Sequence, residues 1–331
     1  MPIFLPDSRN IERASQLLRA GEIVAFPTET VYGLGADALN AQAVQKIFDA
    51  KERPSYNPLI VHVSSEEEAR RLVTFWPLKA QLLAAAFWPG ALSLVLPKRA
   101  TVPDSVTAGL ANVALRSPSH PVARALLEAA DLPIAAPSAN RFTELSPTSA
   151  THVENALGSR VSMILDGGNC VCGIESTVLD LSRDVPVLLR PGSVSRAQIE
   201  EIIGEIRLRA DIEYSMSDET PRLSPGQIER HYAPRATLIA FDDIADLGRL
   251  AAPFSALRCG ALCFGSSPPS LRHARQMPHN CVEYARQLYG VLHELDDLGC
   301  DLIFVENVPH GSEWDGVRDR LKRAATPREK K

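Results

Sequence analysis

Residues 11–26 read IERASQLLRAGEIVAF. Ile11, Ala14, Leu17 and Leu18 recur at the spacing that lines one face of a helix, Gly21 stops that helix, and the apolar run Ile23 to Phe26 follows as a strand. The helix–turn–strand unit then recurs. Helices are predicted near 41–50, 66–73, 78–87 and 121–130, and strands at 59–63, 92–96, 113–116 and 133–136. Beyond Pro147 a helix reaches Leu157, and short strands are expected at 161–165, 176–181 and 186–189. Ser195 with Gln198 forms a capping box at the head of a helix carrying Ile199, Ile202 and Ile203. Strands alternating with helices imply an α/β domain: a twisted open sheet, flanked by helices, with substantial parallel pairing.

From Asp211 to Pro234 neither period is present, and Ser, Asp, Pro and Gly are frequent, as in an interdomain linker. Alternation resumes beyond it, with strands at 237–241, 257–264 and 302–305. A helix at 281–296 is expected to face Val282, Ala285, Leu288 and Leu292 inward. This second unit is a smaller α/β domain. The boundaries are therefore drawn at 1–207, 208–235 and 236–331. The basic end, with Arg318, Arg320, Lys322, Arg323, Arg328, Lys330 and Lys331, reads as a solvated helix face and tail in preference to an RNA contact.

The chain has 331 residues, enough for two domains with cores of their own, and its 45% hydrophobic and 23% charged residues are those of an ordinary globular protein. A net charge of −5 supplies no chain-wide basic field for a long nucleic acid, so any RNA contact would be local or transient. Met1 to Asn10 lacks the basic-then-apolar order of a secretory signal, which places the expected location in the cytoplasm. The most apolar stretch, Leu82 to Leu96, is shorter than the roughly 20 residues of a membrane helix and is broken by Pro89-Gly90, so no membrane association is expected. Of six cysteines only Cys170/Cys172 and Cys259/Cys263 are close in sequence, without zinc spacing, and they read as inert thiols.

The dipeptide Gly-Lys never occurs, which excludes an ordinary P-loop. Gly33 to Ala38 matches the dinucleotide pattern G-x-G-x-x-A, yet Pro27 to Tyr32 separates it from the strand that should feed it. Polar groups gather instead at strand ends. Thr28, Glu29 and Thr30 follow the first strand, and Asn57 and His62 flank the second. Arg116 ends a third and suits a carboxylate, while Ser138 and Asn140 follow a fourth. Glu175 and Ser176 open another, and Arg190 closes one. Lys51 and Arg53 end a helix, where cations ordinarily complement the dipole. Taken singly each is compatible with a turn or a cap; together they describe a polyanion site beside a site for a small zwitterion.

PTETVYGLG at 27–35, KERP at 51–54 with NPLIVH at 57–62, APSAN at 136–140, SPT at 146–148, GIEST at 173–177, LRPG at 189–192 and RHYAP at 230–234 stand in one order along the chain. In these motifs the sequence resembles the threonylcarbamoyl-AMP synthases, the YrdC-like family in its long form. The resemblance implies a YrdC-like first domain and a Rossmann-like second one. It implies that L-threonine, bicarbonate and ATP give threonylcarbamoyl-AMP and pyrophosphate, and that a downstream tRNA-modifying transferase complex uses the product. Carried over by position, Thr30, His62, Arg116 and Ser176 form the threonine site. Lys51, Arg53, Asn57, Asn112, Ser138, Asn140, Ser146, Arg190 and Tyr232 form the ATP site, Lys51 and Arg53 being catalytic. A Mg2+ ion bridging the phosphates is implied, with no protein side chain assigned to it. In the family the 208–235 segment closes over the nucleotide. Asn112 stands where the family often has Thr, Ala91 and Ser93 where it has Pro and Thr, and Phe142-Thr143 where Ser-Gly is commoner. The competing reading is a domain that binds tRNA or double-stranded RNA without catalysis.

Overall fold

A computed structural model of the chain describes residues 3–209, 231–265 and 271–325. Helix α1, Ser8–Arg19, is started by Asp7, whose side chain accepts from the Asn10 amide, and it buries Ile11, Ala14 and Leu18. Strands β1 (Ile3–Phe4), β2 (Val24–Phe26) and β3 (Gly33–Asp37) come from the first part of the chain, followed by β4 (Ile60–His62), β5 (Leu92–Pro97) and β6 (Asn112–Arg116). Then come β7 (Ile134–Ala135), β8 (Met163–Leu165), β9 (Thr177–Asp180), β10 (Val187–Arg190) and β11 (Arg207–Leu208). They form one sheet in the order β1-β8-β2-β3-β7-β4-β6-β5-β9-β10-β11.

The sheet is mixed. β1, β8 and β2 run parallel, as do β4 with β6, β5 with β9 and β10 with β11. The remaining neighbours are antiparallel, among them β2–β3, β3–β7 and β5–β6. Helices cover both faces; besides those detailed below, the chain has α3 (Glu66–Leu72), α5 (Asp104–Thr107), α7 (Ala150–Leu157) and, beyond the first domain, α9 (Leu247–Ala251). α1 and α6 (Pro121–Ala130) bury one face against Val24, Phe26, Met163 and Leu165. On the other face Val44 and Ile47 of α2 (Ala41–Lys51) and Leu83 of α4 (Leu78–Phe87) join the main core with Leu94 and Leu115. The capping box at Ser195 and Gln198 is present at the start of α8, Arg196–Ile203. No described helix is long and apolar enough to cross a membrane.

Residues 33–37 are a strand within the sheet, in agreement with the separation by Pro27 to Tyr32 that told against a dinucleotide loop. A Cβ on Gly35 would lie 2.7 Å from Ile134 and 2.8 Å from Phe26, so glycine is needed here for close packing of side chains. The G-x-G-x-x-A match is therefore no phosphate loop.

The second domain is a parallel sheet of β12 (Thr237–Phe241), β15 (Leu302–Glu306), β13 (Cys259–Cys263) and β14 (His273–Gln276), in that order. Helix α10, Cys281–Asp297, buries Tyr284, Ala285, Leu288, Tyr289, Leu292 and Leu295, and α11 runs from Asp315 to Ala325. Val282 departs from the expected inward face. It lies in the first turn of α10, where nothing covers it, and is 62% exposed.

The two domains share a core. Val31, Leu145 and Ile174 of the first domain join Tyr284, Leu288, Leu292 and Trp314 of the second in one buried cluster. A Cβ on Gly173, at φ +76°, would come 2.3 Å from the Ala285 carbonyl oxygen, so main chain rests directly on α10. The linker drawn at 208–235 is described only at its ends, residues 208–209 and 231–235. Ser224-Pro225-Gly226 and Arg230 lie outside the described residues, as do Arg328, Lys330 and Lys331.

Candidate active site

Parallel pairing of β4 with β6 sets His62 opposite Arg116 at the carboxyl ends of both strands. Both side chains are buried, and both line a pocket that Thr28, Thr30, Ser176 and Ser138 also reach. The guanidinium of Arg116 is held on three sides. Its Nε donates to the Gly90 carbonyl at 3.1 Å, Nη1 donates to Thr30 Oγ1 at 3.0 Å, and Nη2 lies 2.7 Å from Glu29 Oε1. Nη1 keeps one N–H and Nη2, whose contact with Glu29 is an ion pair without a hydrogen bond, keeps its own, so a carboxylate can be gripped in two places.

Glu29 is itself buried. Burial alone would raise its pKa, but the charge of Arg116 outweighs this and keeps its carboxyl below the ordinary value. His62 goes the other way: burial, reinforced by the Arg116 charge, lowers its pKa to about 3. At neutral pH it is an uncharged imidazole, and its Nδ1 has no protein partner.

The pocket lining carries two further cations. They are Arg53, two residues past α2, and Arg190, the last residue of β10. Arg190 donates from Nε to the Ser176 carbonyl and from Nη2 to Ser176 Oγ, each at 3.1 Å. Burial, together with the Arg190 charge, lowers the pKa of Arg53 to about 10, and its buried Nε is unpartnered. Lys51 lies beneath, donating from Nζ to the carbonyls of Ser138 and Asn140. Burial and then the neighbouring Arg53 pull its ammonium well below the ordinary value. Like charges crowded out of water favour an anion among them. Both amide atoms of Asn57 and the Oδ1 of Asn140 are also buried without a partner, donors and acceptors left over for a ligand.

The structure thus brings Thr30, His62, Arg116, Ser176, Ser138, Arg53 and Arg190 to one cavity, with Tyr232 in its wall. Lys51, Asn57 and Asn140 are buried close to it in the motifs but are not among its lining residues. Ser146 hydrogen-bonds the Glu175 carboxylate. Asn112 is not brought in. It begins β6, at the end away from Arg116, and donates to Ser182 Oγ at 3.1 Å.

Tyr232 settles its own position in an unexpected way. Its ring belongs to the core shared with the second domain, and its hydroxyl accepts from Arg190 Nη1 at 3.3 Å, so it is both plug and pocket wall. His231 is buried beside it, its ring 5.9 Å from that of Phe142, and burial with the nearby Arg53 and Lys51 charges holds it well below its ordinary pKa.

Three participants were given no part in the site by the sequence reading. Glu29 and Glu175 stood inside recognised motifs but had no visible charge partner. Arg320 was read as a solvated charge and is instead 1% exposed, with Nε 2.6 Å from Glu175 Oε2. The six cysteines are unpaired; burial, then the nearby Cys172, pushes the Cys170 thiol up.

No group of three or more His, Cys, Asp and Glu among the described residues could hold a metal ion. Glu175, the carboxylate lining the pocket, is engaged by Arg320 and Ser146, so these side chains do not fit a resident Mg2+.

Residues 16–192 match the family described as telomere recombination, which covers Sua5, YciO and YrdC proteins, and residues 194–326 match the threonylcarbamoyl-AMP synthase C-terminal domain. The chain is 42% identical over 320 residues to a threonylcarbamoyl-AMP synthase of Pyrococcus abyssi, covering 95% of this chain and 94% of that one. It is 41% identical to another of Bacillus subtilis, over 95% and 92% of the two chains. Among solved structures it superposes on Pyrococcus abyssi Sua5 complexed with L-threonine at a TM-score of 0.89, with 42% identity and coverage of 96% and 95%. With both domains matched in order, and the pocket built from the residues described above, the chain belongs to the threonylcarbamoyl-AMP synthase family in its two-domain form.

Proposed function

We propose that this pocket condenses L-threonine, bicarbonate and ATP into threonylcarbamoyl-AMP and pyrophosphate. The observation that carries the reading is the pairing of two unlike subsites: Arg116, with Thr30, His62 and Ser176 around it, and the buried cations Arg53 and Arg190 above Lys51. The first suits a small amino acid and the second a triphosphate. L-threonine is the ligand in the Pyrococcus abyssi Sua5 complex.

The threonine carboxylate takes the free N–H groups of Arg116, and the neutral imidazole of His62 lies beside it without adding charge. Bicarbonate gives up hydroxide to form CO2; the deprotonated threonine amine bonds to its carbon and sheds a proton, which the hydroxide takes as water, leaving a carbamate. A carbamate oxygen then bonds to the ATP α-phosphorus, and the bond to pyrophosphate breaks. Catalysis is positioning and charge stabilisation, with no covalent enzyme intermediate. Arg53 and Arg190 meet the charge spread over the phosphates. Lys51 fixes the Ser138 and Asn140 carbonyls, and so holds the loop that carries these two side chains. Mg2+ arrives as part of the nucleotide substrate.

The end of the 208–235 segment, at His231 and Tyr232, serves as a lid. His231 and Tyr232 close one side of the pocket, and exclusion of water there protects a labile mixed anhydride. The product serves threonylcarbamoyladenosine formation on tRNA in the cytoplasm, through a downstream transferase complex. Purified protein should release pyrophosphate from ATP only when threonine and bicarbonate are both present. Equal release with serine, or with no amino acid, would overturn the threonine assignment.

A further inference from the structure

The second domain reaches the pocket through a buried cluster. Arg320 of α11 pairs with Glu175 and donates from Nη1 to the Pro191 carbonyl at 3.0 Å, gripping the segments on both sides of Arg190 and Ser176. Its guanidinium also lies 5.0 Å from the centre of the Tyr232 ring. Tyr289 of α10 donates to the same carboxylate, 3.1 Å from Oε2, and the other oxygen of Glu175 holds Ser146. Although burial alone would raise the pKa of Glu175, Arg320 and then Arg190 keep it below the ordinary value, so the pair stays ionised.

The main chains meet here as well. A Cβ on Gly316 of α11 would come 2.9 Å from the Gly192 carbonyl oxygen, and one on Gly192 would come 2.5 Å from the Thr177 amide. α11, the loop after β10 and the start of β9 are stacked with no room for a side chain between them. Such packing transmits a shift in α11 to the pocket wall, because close-packed interiors do not absorb it. A solvated helix face has none of these features. A simple interdomain tie would have no need of a carboxylate that also holds a residue of the nucleotide motifs.

We infer that Arg320 and Tyr289 are positioning residues for the nucleotide end of the pocket, clamping Glu175 so that Ser146 and Arg190 are held in place for ATP. This rests on the adenylating reading of the site. The clamp makes the second domain part of the catalytic apparatus, although none of its described side chains has been placed on the substrates.

The test uses the full-length protein as Arg320→Met, Arg320→Lys, Glu175→Gln and the Arg320→Met/Glu175→Gln double variant. Melting temperature, ATP binding by calorimetry without threonine, and separate kcat and KM values are recorded for each, below the lowest melting temperature. Positioning predicts that Arg320→Met weakens ATP binding and raises the ATP KM tenfold or more, with a smaller change in the threonine KM. Lys, which keeps the charge, should recover part of the loss, and the double variant should be no worse than the worse single one. Should Arg320→Met fail to fold, Glu175→Gln carries the same comparison. An Arg320→Met enzyme with a lowered melting temperature but wild-type ATP binding, KM and kcat would overturn the positioning role alone. Wild-type protein that binds ATP yet forms no adenylate would overturn the adenylating reading alone.

Discussion

At the scale of single residues, Arg116 shows how far a sequence speaks for itself. Its place at the end of an apolar strand announced a carboxylate site, and the structure puts it in the pocket. What the sequence could not announce is Glu29, which fixes the guanidinium from behind at 2.7 Å. The two are 87 positions apart, 116 less 29, and ion pairs between distant strands leave no periodic trace. Arg116→Lys keeps the charge and loses the planar fork, so the threonine KM should rise roughly tenfold or more, about 1.4 kcal/mol. ATP binding should be largely spared. Steady-state kinetics with either substrate varied will show the split, and an unchanged threonine KM would remove Arg116 from that subsite. Arg320 is the harder case. Its basic neighbours read as solvent-facing, and its true partner lies 145 positions away.

At the scale of elements, the helices and apolar strands were legible because burial writes a period into the sequence. α6 was read at its observed limits, 121–130, and the capping box of α8 was read from two side chains. The strand β3 was hidden for a physical reason: Gly33 and Gly35 lack the side chains that carry the period, since Phe26, Ile134 and Ala136 fill that face. β14 was missed because His273 to Gln276 are polar and partly exposed, at the edge of their sheet. The end of the linker belongs to this scale too. Tyr232 is buried at φ +60°, a conformation uncommon for a bulky residue, and it joins the pocket to the second domain's core. Tyr232→Ala should therefore lose most of the pyrophosphate release while near-UV and far-UV circular dichroism still report a folded protein. A folded Tyr232→Ala variant with full activity would reduce the segment to a tether.

At the scale of the whole molecule, the domain boundaries drawn from composition divide a shared core. Val31, Leu145 and Ile174 would lose their cover without the second domain. The shared interface also ties stability to pH. His152 of the first domain and His293 of the second stack with ring centres 3.9 Å apart, and burial, with His293 nearby, lowers the pKa of His152 to about 3. His62 is lowered to about 3 and His231 well below its ordinary value, in each case first by burial. These histidines are neutral in the folded chain, whereas the unfolded chain takes up protons below about pH 6.5. Their contribution is complete above that pH and is lost as pH falls toward 3, by at most about 1.4 kcal/mol per pH unit for each fully buried one. Melting temperature should fall between pH 7 and pH 5, before the buried carboxylates titrate. His62→Gln should fall less steeply over the same range; parallel curves would show that His62 does not carry this dependence.

The chemistry assigned to the pocket stands or falls on what becomes of bicarbonate. Purified protein given ATP, L-threonine, Mg2+ and 13C-labelled bicarbonate, then analysed by mass spectrometry, should yield threonylcarbamoyl-AMP with one labelled carbon in its carbamoyl group. An unlabelled threonyl adenylate, or ATP returned unchanged by a folded protein that binds both substrates, would contradict it.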